Sequence, residues 1–166
     1  SKLGFERYIK GEDDALFIEL EQLMTALMID MTIFYRLLAT ATPENSLDAI
    51  RFFNSCFYQP EQLEQTEKEH FIEWLASYFK RLEINRGEHA ERQINMNRVN
   101  PKYVLRNYLA QQAIEQAEQG NYQLLETLQR VLKQPYDEQP EFEQYADKRP
   151  EWAKNKAGCS MLSCSS

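Results

Sequence analysis

The sequence predicts an all-α fold, a bundle of about five or six helices followed by an extended C-terminal strap. Three observations lead there. Apolar residues recur at steps of three and four along most of the chain, as on one face of a helix. No stretch alternates apolar and polar residues as a half-buried strand would. The five glycines stand isolated at Gly4, Gly11, Gly87, Gly120 and Gly158, too scattered for the turns of a β-rich fold or for a phosphate-cradling loop.

Asp13 and Asp14 open the first helix, where free backbone N–H groups favour negative charge. Leu16, Leu20, Leu23, Leu27, Met31, Phe34 and Leu38 then mark one continuous apolar face, and Pro43 stops it. Glu12 to Asp14 lacks the alternating oxygen ligands of an EF-hand, so capping is preferred to calcium binding. Ser46 is expected to cap a shorter helix carrying Leu47, Ile50, Phe53 and Phe57. After Pro60, a third helix from about Thr66 carries Phe71, Trp74, Leu75, Tyr78, Phe79 and Leu82 inward. Glu88 to Asn97 reads as a short helix or an exposed linker.

Asn100-Pro101 has the form of a helix start, with Asn as cap and Pro at the first helical position. That helix would carry Val104, Leu105, Tyr108, Leu109, Ala113 and Ala117 and end at Gly120, where a left-handed residue costs little as glycine. Asn121 would cap its partner, which carries Leu124, Leu125, Leu128 and Leu132 and is closed by Pro135. The two form an αα-hairpin. Beyond it, Pro135, Pro140 and Pro150 punctuate an acidic segment with Tyr136, Phe142, Tyr145 and Trp152, read as a strap whose aromatics dock on helices. The pattern therefore divides into a helical domain 1–134, a docking strap 135–157 and a tail 158–166.

Composition excludes several function classes. The formal net charge of −7 opposes binding to phosphate backbones. No apolar run approaches the roughly 20 residues of a membrane span, and no signal peptide opens the chain. Three cysteines, Cys56, Cys159 and Cys164, form no disulfide framework and fit a reducing, cytoplasmic setting. The chain begins at Ser1 without an initiator methionine, so a piece of a longer protein is expected.

Candidate chemistry is sparse. His70 and His89 have no metal partner at useful spacing. Glu67, Glu69 and Glu73 share a helix with Lys68 and Lys80, which suits a solvated face. No kinase or P-loop signature occurs. The hairpin from Pro101 to Pro135 is the size of one tetratricopeptide unit, but no second copy exists to stack on it. Cys56 follows Phe52 and Phe53 and reads as a buried small hydrophobe. Cys164, third from the C-terminus, lies where a thiol can reach partners.

Val99-Asn100-Pro101 followed by Val104 to Gln111 (Val-Leu-Arg-Asn-Tyr-Leu-Ala-Gln) closely resembles a hallmark of the selenoprotein O family. Ala113-Ile114-Glu115, Ala117-Glu118, Pro135-Tyr136-Asp137, Pro150-Glu151-Trp152-Ala153 and Ser163-Cys164-Ser165-Ser166 extend the match, and Lys2-Leu3-Gly4-Phe5 resembles a segment within the family's kinase-like region. The resemblance implies a kinase-like protein AMPylase that uses ATP and magnesium to transfer AMP to Ser, Thr or Tyr hydroxyls of target proteins. The nucleotide- and metal-binding residues belong to the preceding core. This stretch is thus expected to have no catalytic, cofactor or metal residue and to pack on that core as a C-terminal extension. Cys164 matches the family's terminal cysteine or selenocysteine, which implies a redox role. The family's Cys-x-x-Sec pattern would put its first cysteine at Met161, and the nearest thiol is instead Cys159. Expected partners are the kinase-like core and, for the longer protein, its protein substrates; nucleic acid and membrane are not expected. The alternative is a free-standing helical interaction module.

Overall fold

The computed structural model describes residues 1–159. They form two compact units, Ser1–Asn100 and a second beginning at Pro101. Among the described residues there are seven α-helices, several 3-10 segments and no strand, only an isolated antiparallel bridge between Ile29 and Phe57. The all-helical class stands, with more helices than the five or six expected.

In the first unit, α1 (Glu12–Ala26) and α2 (Met31–Thr40) replace the single long helix read from the apolar rhythm. The break has a local cause. Met28 takes a left-handed φ of 49°. The N–H groups of Met28 and Ile29 reach back to the carbonyls of Thr25 (3.4 Å) and Met24 (2.9 Å). This is the paired hydrogen bonding of a Schellman end, with methionine where glycine is usual. Asp30 then caps α2 by accepting from the Ile33 N–H at 3.0 Å, while its own N–H donates to the Cys56 carbonyl at 2.7 Å.

The expected Ser46-capped helix is also corrected. Pro43–Asp48 is a 3-10 segment begun at Thr42, α3 (Ala49–Phe52) is a single turn, and Asn54–Cys56 is again 3-10. Leu47, expected on one helix with Phe53 and Phe57, is 92% exposed, because the 3-10 turn rotates it away from the side that those two share.

The third helix forms as α4 (Gln65–Leu82), and the polar stretch after it as α5 (His89–Asn97). Phe71, Trp74, Leu75 and Tyr78 of α4 are fully buried against Phe34, Phe53 and Phe57. Their rings meet edge-on or tilted, Phe53–Phe71 at 5.4 Å and 82°, Phe57–Phe71 at 5.3 Å and 72°. Polar handles are satisfied: Trp74 Nε1 donates to the Leu16 carbonyl at 3.0 Å, and the Tyr78 hydroxyl to that of Leu3 at 3.0 Å. From α5, Arg92 donates to the carbonyls of Leu38 (3.2 Å) and Ala41 (2.7 Å), and His89 Nε2 donates to Ala41 (3.1 Å). Together they satisfy carbonyls that the end of α2 leaves open.

In the second unit the helix expected at Asn100-Pro101 starts later, as α6 (Asn107–Glu118), with Arg106 at its N-cap. The Asn100 side chain makes no cap and instead donates through Nδ2 to the Lys2 carbonyl at 2.9 Å. The N–H groups of Lys102 and Tyr103 both turn to the Pro135 carbonyl, at 2.7 and 3.0 Å. Val104 and Leu105 therefore precede the helix. Gly120, at φ +81°, ends α6 as expected: its N–H bonds Ala117 and that of Asn121 bonds Gln116, both at 2.9 Å. Asn121 Oδ1 accepts from the Gln123 N–H at 3.1 Å, at the mouth of α7 (Gln123–Val131). After Pro135 the chain is not simply extended, since Pro140–Tyr145 and Glu151–Ala153 wind into 3-10 turns.

Candidate functional site

Of the two thiols singled out for redox work, Cys164 lies outside the described residues. Cys159 is fully buried. It completes a small cluster with Tyr108, Leu109 and Ala113 of α6, Leu128 of α7 and Ala153. Gly158, in a left-handed conformation at φ +80°, brings the chain so close to the Gln111 side chain that a Cβ there would collide with it. Cys56 is equally buried, in the first unit's core.

Two anchoring devices hold the second unit's irregular segments. Lys102 bridges Glu138 at 2.5 Å and Glu143 at 2.7 Å. Burial opposes its charge, but the two carboxylates outweigh this and raise its pKa. Tyr103 runs alongside, its hydroxyl donating to the Gln139 carbonyl at 2.9 Å. Farther along, Lys156 Nζ pairs with Glu115 of α6 at 2.7 Å and lies 5.6 Å from the Trp152 ring centre. That contact, with help from Gln111, holds the Glu115 carboxyl below its ordinary range.

An apolar groove of about 530 Å³ runs between α6 and α7, lined by Ala110, Ala113, Ile114, Ala117, Leu125 and Leu132 among others. Ile114 (54%) and Leu125 (49%) are half exposed on it. The first unit has a wider cleft of about 690 Å³ with Phe5 and Phe79 among its lining residues and Glu6, Glu83, Glu88 and Glu91 around them. Glu6 accepts from the backbone N–H groups of Gly87 and Arg86, which lower its pKa.

Neither histidine is placed for metal chemistry. His70 pairs with Glu19 at 3.0 Å on the surface, and His89 serves the end of α2. Among the described residues, no group of three or more His, Cys, Asp and Glu side chains could hold a metal ion. No described helix is long and apolar enough to cross a membrane.

One buried feature escaped the sequence reading altogether. Asp13, read only as a cap, is 1% exposed and pairs with Arg81 Nε of α4 at 2.6 Å. Its other oxygen accepts from the Ile9 N–H at 2.8 Å, so it also steadies the entry to α1. Arg81 further donates to the Arg7 carbonyl at 2.8 Å and covers the Phe5 ring. Nothing local signals a partner 68 residues away.

Comparison with known proteins supplies the context. The sequence profile of the family described as "Protein adenylyltransferase SelO" matches residues 1–133. Relatives named "Protein nucleotidyltransferase YdiU" align along the whole chain. That of Aromatoleum aromaticum is 49% identical, that of Methylobacillus flagellatus 47% and that of Tolumonas auensis 45%. The chain spans only 31% of the length of each of these three. It belongs to the SelO family.

Proposed function

We propose that this chain is the C-terminal helical part of a protein AMPylase, serving as structural support and redox-sensing tail for a kinase-like core encoded ahead of it. The observation that carries this reading is alignment from end to end with nucleotidyltransferases of which it spans 31%. In the whole protein, a Ser, Thr or Tyr hydroxyl of a target attacks the α-phosphate of ATP. It loses its proton, takes AMP, and pyrophosphate leaves. ATP and magnesium belong to the preceding core.

Within that assembly the chain's role is to bury, brace and sense. The first unit supplies a rigid aromatic core. Cys164 is assigned the redox function, with Cys159 as the candidate second thiol, in a cytoplasmic setting.

AMP incorporation from α-labelled ATP tests the reading. The isolated chain transfers no AMP to acceptor proteins, and the whole protein does. In the whole protein, Cys164→Ser removes the difference between reducing and oxidising buffer. Incorporation by the isolated chain would overturn the assignment.

A second reading, a helical protein-interaction module, has one observation in its favour: the half-exposed Ile114 and Leu125 on the α6–α7 groove. Apolar surface of this kind suits a partner.

A further inference from the structure

The stretch from Pro150 to Cys159 is attached to α6 largely through side chains. Its backbone N–H groups bond within the stretch: Ala153 to Pro150 (3.0 Å), Lys154 to Glu151 (3.1 Å), Lys156 to Ala153 (3.4 Å) and Cys159 to Lys156 (3.0 Å). Trp152 stands edge-on to Tyr108, with ring centres 6.2 Å apart and planes at 90°. Lys156 reaches both oxygens of Glu115, at 2.7 and 2.8 Å. Glu115 also accepts from the Gln111 amide at 3.1 Å. Beneath these anchors, Ala153 and Cys159 are fully covered.

The anchors and the covered residues differ in kind. Trp152 is 51% exposed, and the Lys156 and Glu115 side chains are 38% exposed each. Half-solvated ion pairs are weak and screened by salt. What the stretch buries is small, an alanine and a cysteine. The helices beneath have their own main-chain ladders and a Schellman joint. A segment with few buried apolar groups and wet anchors opens before the elements it rests on.

We propose that Pro150–Cys159 is a latched strap. The Lys156 ammonium, held between the Glu115 carboxylate and the Trp152 ring, keeps it on α6, and its release uncovers the Cys159 thiol while the α6–α7 hairpin stays folded. The device deepens the redox part of the reading above, because it makes Cys159 available in one state of the strap and shields it in the other. It does not depend on AMP transfer.

The test is thiol alkylation of the whole 166-residue chain with N-ethylmaleimide under native conditions, each cysteine followed by peptide mass. Cys159 should react faster than Cys56, at a rate that scarcely changes with low urea. Lys156→Gln should speed it about two- to fivefold, and Trp152→Ala about tenfold, with helix content and the Cys56 rate unchanged. Lys156→Arg should restore the slow rate, and added salt should mimic the glutamine variant. If Cys159 reacts only along the urea dependence of helix loss, or ignores both variants, there is no latch. The readout involves no nucleotide, so failure here leaves the AMPylase assignment untouched, and failure there leaves the latch untouched.

Discussion

The two units solve the same problem, burying one side of each helix, with different materials. The first uses rings: Phe34, Phe53, Phe57, Phe71, Trp74 and Tyr78 are all fully buried and meet one another directly. It adds a buried ion pair, Asp13–Arg81, that ties the entry of α1 to the end of α4. The second has two short helices over a cluster of Tyr108, Leu109, Ala113, Leu128, Ala153 and Cys159. Both leave apolar side chains roughly half exposed, Tyr8, Ile18, Ile84 and Ile94 in the first and Leu105, Ile114, Tyr122, Leu125 and Trp152 in the second. The smaller second unit has proportionally less interior in which to hide them. The difference teaches where rigidity and where exchange are to be sought: in the ring-packed core of the first unit and in the attached segments of the second.

That contrast can be broken by substitution. Each unit carries one tryptophan, Trp74 in the first and Trp152 in the second, so fluorescence of single-tryptophan variants follows them separately. The largest effect is expected from Phe71→Ala. Removing a ring that touches Phe34, Phe53 and Phe57 should cost about 3–5 kcal/mol in urea unfolding followed at Trp74. Asp13→Ala comes next. It strands the Arg81 guanidinium in a buried site and should cost about 3 kcal/mol, and Asp13→Ala with Arg81→Met should recover much of it. A double variant no better than the single would mean that the Ile9 cap, rather than the charge, matters. Leu128→Ala in the second unit should cost about 2–3 kcal/mol, seen at Trp152. An equal loss at Trp74 would contradict two units with cores of their own.

Alkaline titration sharpens the contrast further. Burial pushes Tyr78 up to about 12, despite the opposing influence of Arg92, and burial likewise pushes Tyr35 to about 12. A raised folded pKa stabilises the fold fully below the ordinary tyrosine range near 10. That contribution is lost as pH rises through about 12, for Tyr78 on the order of 2 kcal/mol. Phenolate absorbance should therefore show Tyr35 and Tyr78 ionising only near pH 12, with the first unit loosening as they do. Full ionisation of both well below that, with the fold intact, would sink this.

The smallest effects compare two helix ends of the same design. Gly120 and Met28 both occupy the left-handed position of a Schellman end, one in each unit. No atom lies within 4 Å of a Cβ placed on Gly120, so Gly120→Ala isolates the backbone term and should cost about 1 kcal/mol. Met28→Gly relieves the same strain and should return part of that in the first unit, less whatever packing the side chain gives. A thermal midpoint of Met28→Gly below that of Met28→Ala, which loses the same packing but keeps the strain, would refute the shared geometry.

The same pair shows what could be read from the chain alone. The end of α6 was legible because glycine announces a left-handed residue. The end of α1 was not, because Met28 continues an apolar rhythm that two helices happen to share. Asn100-Pro101 misled in the opposite way: its residues suit a helix start, but the N–H groups of Lys102 and Tyr103 that a cap would engage go to the Pro135 carbonyl. Cys159 was legible as a thiol, and its burial was not.

Helical class, the inward face of α4, the αα-hairpin and the family motifs were determined by the sequence itself, because periodicity and cap chemistry act over a few residues. Tertiary structure alone decided the break at Met28, the Asp13–Arg81 pair, the exposure of Leu47, and the placing of Lys156 between Glu115 and Trp152. Each depends on groups far apart in the chain or on competition for one carbonyl or amide. Such competition has a winner only when the fold has brought all its contenders together.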